Sequence, residues 1–519
     1  MQNAVELLNI TKFFPSSNVL ANNDVSLIVE EGEVHALVGE NGAGKTTLMN
    51  ILYGLHQPDS GKILVNGREE TIGHPDDAIK LGIGMVHQHF KLVQSFTIAE
   101  NIMLGMESTQ FGFLNKKEEA ERVRELAENF GLPVDPNARV QDLPIGMQQR
   151  VEILKALQRE AKILILDEPT AVLTPQEVKE LLVVVRSLAE RGRTIIFITH
   201  KLVEVKAVAD KLSVMRGGQM IGTQVVADTS IPEMASMMVG RPVLLDLDKK
   251  PATPGDVVFS AENITVADSA ALPAVRHLSF EVRAGEILGI AGVSGNGQTE
   301  LVEAISGMVP IEGGRLNFVG KDISHQSVGE RRDEGMAHIP EDRIKVGLNL
   351  ETHLDENLVV TQYKKKEFSR RGFLNKGAMK EFAKRAISAF SIASAQPGEG
   401  IATLSGGNMQ KVVLARELSG EPKFVIANQP TRGLDVGSIE FVHRSLIDAR
   451  DRGAGVLLVS VELDEIMSLS DRVIVLYRGE IAGEVNPLTV TQEEIGLLMG
   501  GSRLTKSSKS KQGAEANHE

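Results

Sequence analysis

A glycine-rich segment in the first half of the chain has the residue types of a phosphate-binding loop. The six residues from Gly39 to Gly44 are followed by Lys45 and Thr46, and the strand-like run 33–38 precedes them. Glycines let consecutive backbone N–H groups turn toward phosphate oxygens, while a lysine reaches the β- and γ-phosphates and a threonine hydroxyl binds Mg²⁺. We therefore predict a nucleotide site formed by Gly39, Glu40, Asn41, Gly42, Ala43, Gly44, Lys45, Thr46 and Thr47.

Polar residues also lie at the ends of three other predicted strands. Asp167 and Glu168 end the apolar run 162–167, and we predict that Asp167 holds Mg²⁺ through water while Glu168 orients or deprotonates the attacking water. His200 follows the strand 194–199 and is predicted to hydrogen-bond the γ-phosphate, and Gln88 to contact the metal or the water. The candidate catalytic residues are thus Lys45, Gln88, Glu168 and His200, and the candidate metal ligands are Thr46, Gln88 and Asp167.

The second half of the chain repeats the first half with altered chemistry. Residues 292–299 align with residues 39–46 at an offset of 253, and later motifs align at 261, which is typical of a duplicated domain with a small insertion. The replacements are Gln298 for Lys45, Glu300 for Thr47, Glu341 for Gln88, Asn428 for Asp167, Gln429 for Glu168 and Val461 for His200. Because phosphoryl transfer depends on these charges, we predict that the first site hydrolyses nucleotide, while the second is regulatory or structural and binds it weakly or not at all.

The order of elements predicts an α/β fold in each half. Buried apolar strands alternate with helices, which indicates a mostly parallel sheet with a helical insert around residues 90–155. The 519 residues suit two domains, which we place at 1–240 and 257–501. Proline and charge predict a linker over 241–256, and the polar residues 502–519 predict a disordered tail.

Composition excludes several other classes of protein. The net charge of −13 disfavours nucleic acid as a partner, and the absence of cysteine excludes disulfides, thiolate metal sites and a catalytic thiol. No signal peptide is visible, and no window approaches ~20 uninterrupted apolar residues. We expect a chain that does not itself span a membrane and that would act at one only through partner subunits.

The segment Leu404–Lys411, with sequence LSGGNMQK, resembles the signature motif of ABC ATPases. The resemblance implies an α/β fold of two tandem P-loop ABC ATPase domains, each a mostly parallel sheet core with a helical subdomain. It also implies that ATP lies between one domain's phosphate loop and the other domain's signature, here Ser405, Gly406, Gly407 and Asn408. The signature of the first half is altered, since Pro144 and Ile145 stand where Ser405 and Gly406 stand in the second. The intact loop and the intact signature would therefore form the competent site.

The resemblance also places an aromatic ring on the adenine shortly after the first strand. Phe13 and Phe14 both fit this position, and Phe14 is favoured. A phenylalanine of the hydrophobic core would give the same pattern.

Two fused halves are similar to the ATP-binding subunits of bacterial importers for simple sugars and nucleosides. The segments 339–343 and 429–437 match that group, and residues 143–155 are closest to its nucleoside branch. This resemblance implies ATP and Mg²⁺ as cofactors, two transmembrane permease subunits, an extracytoplasmic solute-binding lipoprotein, no nucleic acid, and a peripheral location at the cytoplasmic face of the cell membrane. Transport of a ribose- or galactose-type sugar stays open, as does pairing of the halves within one chain or between two.

Two other kinds of ABC protein are less consistent with the chain. A soluble ABC ATPase of translation has a long charged linker, whereas the join here is about 15 residues in an acidic chain. A DNA-repair ABC protein needs a coiled-coil arm, and the sequence has no sustained heptads.

Overall fold

The computed structural model describes residues 2–15, 18–87, 90–107, 109–110, 113–170, 173, 175–241, 249–268, 270–293, 295–393 and 395–501. Gln88, residues 242–248 of the predicted linker and the predicted tail 502–519 lie outside the described residues. Contacts divide the chain into two compact units, Met1–Leu245 with Asp435–Gly437, and Asp246–Leu434 with Ser438–Glu519. None of the described helices combines the length and the hydropathy that a membrane crossing requires.

The first half of the chain contains a small antiparallel sheet and a larger, mostly parallel one. The strands are β1 (Asn3–Phe14), β2 (Val19–Glu30), β3 (Val34–Gly39), β4 (Ser60–Val65), β5 (Arg68–Glu70), β6 (Ile83–Val86), β7 (Thr109–Gln110), β8 (Phe113–Leu114), β9 (Ile163–Asp167), β10 (Thr194–Ile198), β11 (Lys211–Arg216) and β12 (Gln219–Val225). The antiparallel sheet has the order β2-β1-β4-β5 and the larger sheet the order β12-β11-β3-β10-β9-β6, in which only the β11–β12 pair is antiparallel.

Helices alternate with the strands of the first half along the described part of the chain. They are α1 (Lys45–Leu52), α2 (Pro75–Lys80), α3 (Ile98–Met103), α4 (Lys116–Phe130), α5 (Ile145–Gln158), α6 (Pro175–Glu190), α7 (Leu202–Val208) and α8 (Ile231–Val239). Every residue of β3, β9 and β10 is buried, which is the pattern of parallel strands covered on both faces. Because β10 pairs in parallel with both β3 and β9, the carboxyl ends of these strands meet at one edge of the sheet.

The second half repeats this arrangement. Its strands are β13 (Val257–Ala267), β14 (Pro273–Arg283), β15 (Ile287–Ala291), β16 (Gly313–Phe318), β17 (Lys321–Asp322), β18 (Met336–Ile339), β19 (Ser369–Arg370), β20 (Phe373–Leu374), β21 (Phe424–Asn428), β22 (Gly455–Val459), β23 (Arg472–Tyr477) and β24 (Glu480–Val485). Its helices are α9 (Gln298–Ser306), α10 (Val328–Asp333), α11 (Leu354–Val359), α12 (Lys376–Ala389), α13 (Gly406–Leu418), α14 (Val436–Asp451), α15 (Leu463–Leu469) and α16 (Gln492–Met499). The sheet orders β14-β13-β16-β17 and β18-β21-β22-β15-β23-β24 confirm the predicted α/β class.

Candidate functional site

The phosphate-binding loop joins β3 to α1, with Gly39 at the end of the strand and Gly44 before the helix. The Lys45 ammonium donates hydrogen bonds to the carbonyl oxygens of Gly39, at 2.8 Å, and Glu40, at 2.9 Å. Burial lowers the pKa of Lys45, and the nearby carboxylates of Glu168 and Asp167 oppose that shift. The Lys45 ammonium is therefore a buried positive charge that donates to carbonyl oxygens of its own loop. Phosphate oxygens could replace these carbonyl oxygens as its hydrogen-bond acceptors.

The close approach of β2 to the loop requires a glycine at position 44. Gly44 has a φ of 96°, and a Cβ atom there would lie 2.2 Å from the carbonyl oxygen of Ala21. The buried Asn22 amide donates to the Gly44 carbonyl oxygen at 3.1 Å. Asn22 was not predicted from the sequence. The repeat does offer a signal for it, since the polar Asn22 corresponds to the apolar Val275 in the second half.

Asp167, at the end of β9, lies next to the first residues of α1. The Thr46 hydroxyl donates to Asp167 Oδ1 at 3.4 Å, and Asp167 is only 2 % exposed. Burial, together with the charge of Glu168, raises the pKa of Asp167 from 3.8 to about 6, while Thr46 and Lys45 oppose the shift. An ionised carboxylate at this position is costly unless a cation approaches it.

The oxygen atoms of Thr46 and Asp167 suit Mg²⁺, which prefers hard ligands. Among the described residues no group of three or more His, Cys, Asp or Glu side chains could hold a metal ion. Phosphate oxygens of a nucleotide and water would supply the other ligands, as is usual for Mg²⁺ bound with a nucleotide.

Glu168 follows β9 in a strained backbone conformation that points its side chain toward the next strand. Its φ is 46°, its N–H donates to the Ile198 carbonyl oxygen at 3.0 Å, and its Oε1 lies 3.2 Å from His200 Nδ1. The hydrogen bond from His200 lowers the pKa of Glu168 against the opposing effect of burial. The carboxylate is thus ionised at neutral pH and held by an imidazole, which suits a group that orients or deprotonates water.

Five of the predicted site residues therefore come together at one edge of the parallel sheet: Lys45, Thr46, Asp167, Glu168 and His200. Glu204 on α7 was not predicted, yet it supports the same edge. Its Oε2 accepts hydrogen bonds from Thr170 at 2.8 Å and from Thr199 at 3.2 Å, which ties together the segments after β9 and β10. The signal that could have found it is the repeat, in which Glu465 stands at the corresponding position.

Phe14, the predicted adenine-stacking residue, ends β1 in the antiparallel sheet. Its ring packs edge-on against His56 with a centroid distance of 5.4 Å, and the Lys12 ammonium lies 5.7 Å from the ring centroid. Neither of these two contacts involves the phosphate loop. Phe13 is the more exposed of the two phenylalanines, so the choice between them stays a prediction.

The corresponding loop in the second half lacks the charges of the first, although Gly295 and Gly297, with φ angles of 87° and 97°, repeat the conformation of Gly42 and Gly44, at 81° and 96°. The Gln298 amide donates to the Val293 carbonyl oxygen at 3.2 Å, and Asn428 ends β21 in a buried position. Gln429 repeats the backbone of Glu168, with a φ of 48°, and its side-chain oxygen accepts from the Val461 N–H at 3.3 Å. The scaffold for a nucleotide is thus duplicated, whereas the lysine, both carboxylates and the histidine are not.

The two signature segments differ at the first turn of their helices. Ser405 caps α13, and its hydroxyl accepts from the Asn408 backbone N–H at 3.4 Å and from the Asn408 side chain at 3.1 Å. In the first half Pro144 occupies this position before α5 and provides no side-chain cap. Of these two signatures, the second presents a serine hydroxyl with two consecutive glycine N–H groups at a helix N-terminus, which favours an anion, whereas the first has Gly146 without the hydroxyl.

The guanidinium of Arg343 connects three segments around the second signature. It donates to the carbonyl oxygens of Arg432, at 2.8 Å, and Gly433, at 3.5 Å, in the turn that follows β21. A Cβ atom at Gly406 would lie 2.9 Å from this guanidinium, so the signature helix begins directly against it. Arg343 was predicted from the sequence only as part of a family motif, and its contacts with these segments were not predicted.

Comparison with known proteins agrees with this geometry. A family model described as ABC transporter matches residues 22–171 and 275–432. The chain is 48 % identical to the guanosine import ATP-binding protein of Bacillus subtilis, over 97 % of this chain and 98 % of that protein. It is 46 % identical to the nucleoside import ATP-binding protein of Lactococcus lactis, over 97 % and 99 %, and 37 % identical to the ribose import ATP-binding protein of Bacillus licheniformis, over 96 % and 100 %.

A solved structure shares the fold over most of the chain. It is the complex of the archaeal ribosomal stalk protein aP1 and the archaeal ribosome recycling factor aABCE1, with a TM-score of 0.61, 19 % identity, and coverage of 92 % of this chain and 90 % of that chain. At this identity the similarity concerns the fold alone. The family match, the full-length relatives and the cluster around Lys45 and Glu168 together identify the chain as a member of the ABC transporter ATPase family, with two domains of that family in one polypeptide.

Proposed function

We propose that this ATPase powers the import of nucleosides. The observation that carries the choice of solute is the 48 % and 46 % identity, over 97 % of the chain, to the guanosine and nucleoside import proteins. The 37 % identity to the ribose import protein makes a simple sugar the second candidate. A role in translation is supported only by a shared fold at 19 % identity.

In the proposed mechanism the residues of the first site bind the phosphates, hold the metal ion and prepare the attacking water. Lys45 binds the β- and γ-phosphates, for which it exchanges its bonds to the loop carbonyl groups. Thr46, Asp167 and Gln88 would hold Mg²⁺, which when bound neutralises charge on the phosphate oxygens. Glu168 orients the attacking water and accepts its proton, while His200 fixes Glu168 and donates toward the γ-phosphate.

We also propose that the two halves divide the work. The phosphate loop of residues 39–47 would be completed by the signature of residues 405–408 for hydrolysis. The loop of residues 292–299 would serve a regulatory or structural role, because Gln298, Asn428 and Gln429 supply no charge. Domain limits at 1–240 and 257–501, joined by a linker at 241–256 and followed by a disordered tail at 502–519, are part of the same proposal.

The proposed assembly includes two transmembrane permease subunits and an extracytoplasmic solute-binding lipoprotein. ATP-driven closing and opening of the ATPase domains would pass to the permeases, so that this chain works at the cytoplasmic face of the membrane. Nucleic acid has no place in the assembly, in agreement with the net charge of −13.

Uptake by the assembled transporter tests the choice of solute. The chain and its partner subunits are reconstituted in vesicles, and uptake of labelled guanosine and uridine is compared with that of ribose and galactose. We expect ATP-dependent nucleoside uptake that Glu168→Gln abolishes. Uptake of a sugar without nucleoside uptake would replace the first candidate by the second, and ATPase activity stimulated by ribosomes would contradict both.

A further inference from the structure

A short hairpin in the second half exposes two large apolar side chains. It consists of β19 and β20, joined by Arg371 and Gly372 with φ angles of 53° and 84°. Phe373 is 81 % exposed and Leu374 is 51 % exposed. Single exposed apolar residues are common, but an almost fully exposed phenylalanine beside an exposed leucine at a protruding turn is a stronger signal.

The base of this hairpin is well packed, so the exposure is specific to the tip. Phe368 is 1 % exposed and belongs to a small cluster with Val359 and Met379. Its ring packs edge-on against Phe382 with a centroid distance of 5.4 Å, and its carbonyl oxygen accepts from the Asn375 N–H at 2.8 Å. The fold thus buries one phenylalanine of this segment and projects the other into solvent.

Positive charge surrounds the exposed tip. We refer to residues 363–380 as the basic hairpin, because they hold seven Lys and Arg residues and one Glu, a net charge of +6 in a chain of −13. Glu367 pairs with Arg385 at 3.4 Å, outside this segment. All seven cations are exposed and form no ion pair with any residue that the structure describes: Lys364, Lys365, Lys366, Arg370, Arg371, Lys376 and Lys380.

The equivalent hairpin of the first half lacks this charge. Residues 104–120 contain two lysines and three glutamates. The chain is also longer in the second half, with 16 residues from Asn357 to Gly372 against 12 from Asn101 to Gly112, and Lys364–Lys366 lie within the longer stretch. The fold therefore does not require the basic residues, since the other copy forms β7 and β8 without them.

We propose that the basic hairpin binds directly to a membrane surface that contains anionic phospholipids. Phe373 and Leu374 enter the interfacial region, while the surrounding lysines and arginines contact lipid phosphates. A protruding tip with outward cations suits a fluid, planar, negatively charged surface, whereas a docked peptide requires a groove. The proposal extends the proposed function by adding a lipid contact to the partner subunits, and its test needs neither ATP nor those subunits.

Vesicle binding of the purified full-length chain tests the proposal. Vesicles of phosphatidylglycerol and phosphatidylcholine in equal amounts are compared with vesicles of phosphatidylcholine alone, by co-sedimentation at low and high salt. We expect binding to the anionic vesicles only, with a loss at high salt because the lipid charge is screened. The triple variant Lys364→Ser, Lys366→Ser and Arg370→Ser should bind about 100-fold more weakly, at roughly fivefold for each cation near the surface.

The apolar contribution has a matched control in the first half. Phe373→Ser with Leu374→Ser should weaken vesicle binding, whereas Leu114→Ser, at a side chain that is 56 % exposed on β8, should not. Melting temperatures and ATPase rates of all variants should equal those of the wild type, because these side chains lie outside the packed core. Equal binding to neutral vesicles, an equal loss in Leu114→Ser, or no binding to the anionic vesicles at low salt would each overturn the proposal.

Discussion

Replacing Asp167 by asparagine should have two effects. It should stabilise the nucleotide-free protein, and it should abolish ATP hydrolysis. Burial and Glu168 raise the pKa of Asp167 from 3.8 to about 6. At 1.36 kcal/mol for each pKa unit, an ionised Asp167 costs about 3 kcal/mol of unfolding free energy at neutral pH. Asparagine avoids this cost and retains an oxygen for the Thr46 hydroxyl, and Asn428 already occupies the corresponding position in the second half.

The pH dependence follows from the direction of this shift. Between pH 3.8 and about 6 the folded protein binds more protons at Asp167 than the unfolded chain, so its stability falls as the pH rises through this window. The advantage of Asp167→Asn should therefore be absent below about pH 4 and complete above about pH 6. Thermal unfolding of both proteins in EDTA without nucleotide measures this stability difference. We expect the Tm of Asp167→Asn to exceed that of the wild type by about 5–10 °C at pH 7.5.

The reciprocal substitution Asn428→Asp is the matched control, since it places a carboxylate at the buried end of β21 without a lysine in the adjacent loop. It should lower the Tm at pH 7.5 and leave it unchanged near pH 4. A Tm of Asp167→Asn equal to or below that of the wild type at pH 7.5, or a difference that does not change with pH, would refute the electrostatic reasoning.

Three further predictions concern the two loops and the core of the second half. Gln298→Lys should leave the ATPase rate within about twofold of wild type, because Asn428 and Gln429 still supply no carboxylate, and a steady-state ATPase assay checks this. Gly44→Ala should destabilise the protein by about 2 kcal/mol or more and prevent binding of a fluorescent ATP analogue, because its Cβ would lie 2.2 Å from the Ala21 carbonyl oxygen. Arg450→Ala should cost about 3 kcal/mol in urea unfolding, because Arg450 is 1 % exposed and pairs with Asp451 at 2.7 Å and Asp471 at 3.2 Å; a loss below about 1 kcal/mol would contradict this.

The sequence predicted the parts of the fold that depend on local pattern. Continuous apolar strands predicted the parallel core of each half, and parallel strands bring their carboxyl ends together, which is why Asp167 and His200 could be assigned to one site. The antiparallel sheet formed by β1, β2, β4 and β5 was not predicted, because its strands are half exposed and their pairing depends on distant contacts.

The supporting residues of the site were missed for a related reason. Asn22 acts through Gly44, which is 22 residues away, and Glu204 acts through Thr170, which is 34 residues away. Such partners have no characteristic spacing in a single sequence, whereas a phosphate loop is one continuous segment. In the sequence, Asn22 and Glu204 could be noticed only by aligning the two halves of the chain.

Hydrolysis at the first site alone is tested most directly by matched substitutions at Glu168 and Gln429. The two residues have nearly the same backbone, with φ angles of 46° and 48°, so Glu168→Gln and Gln429→Asn perturb equivalent positions. In a steady-state ATPase assay of the purified chain with its partner subunits, we predict a loss of about 10²–10⁴-fold for Glu168→Gln and less than about threefold for Gln429→Asn. Normal turnover in Glu168→Gln, or an equal loss in both variants, would contradict hydrolysis at the first site alone.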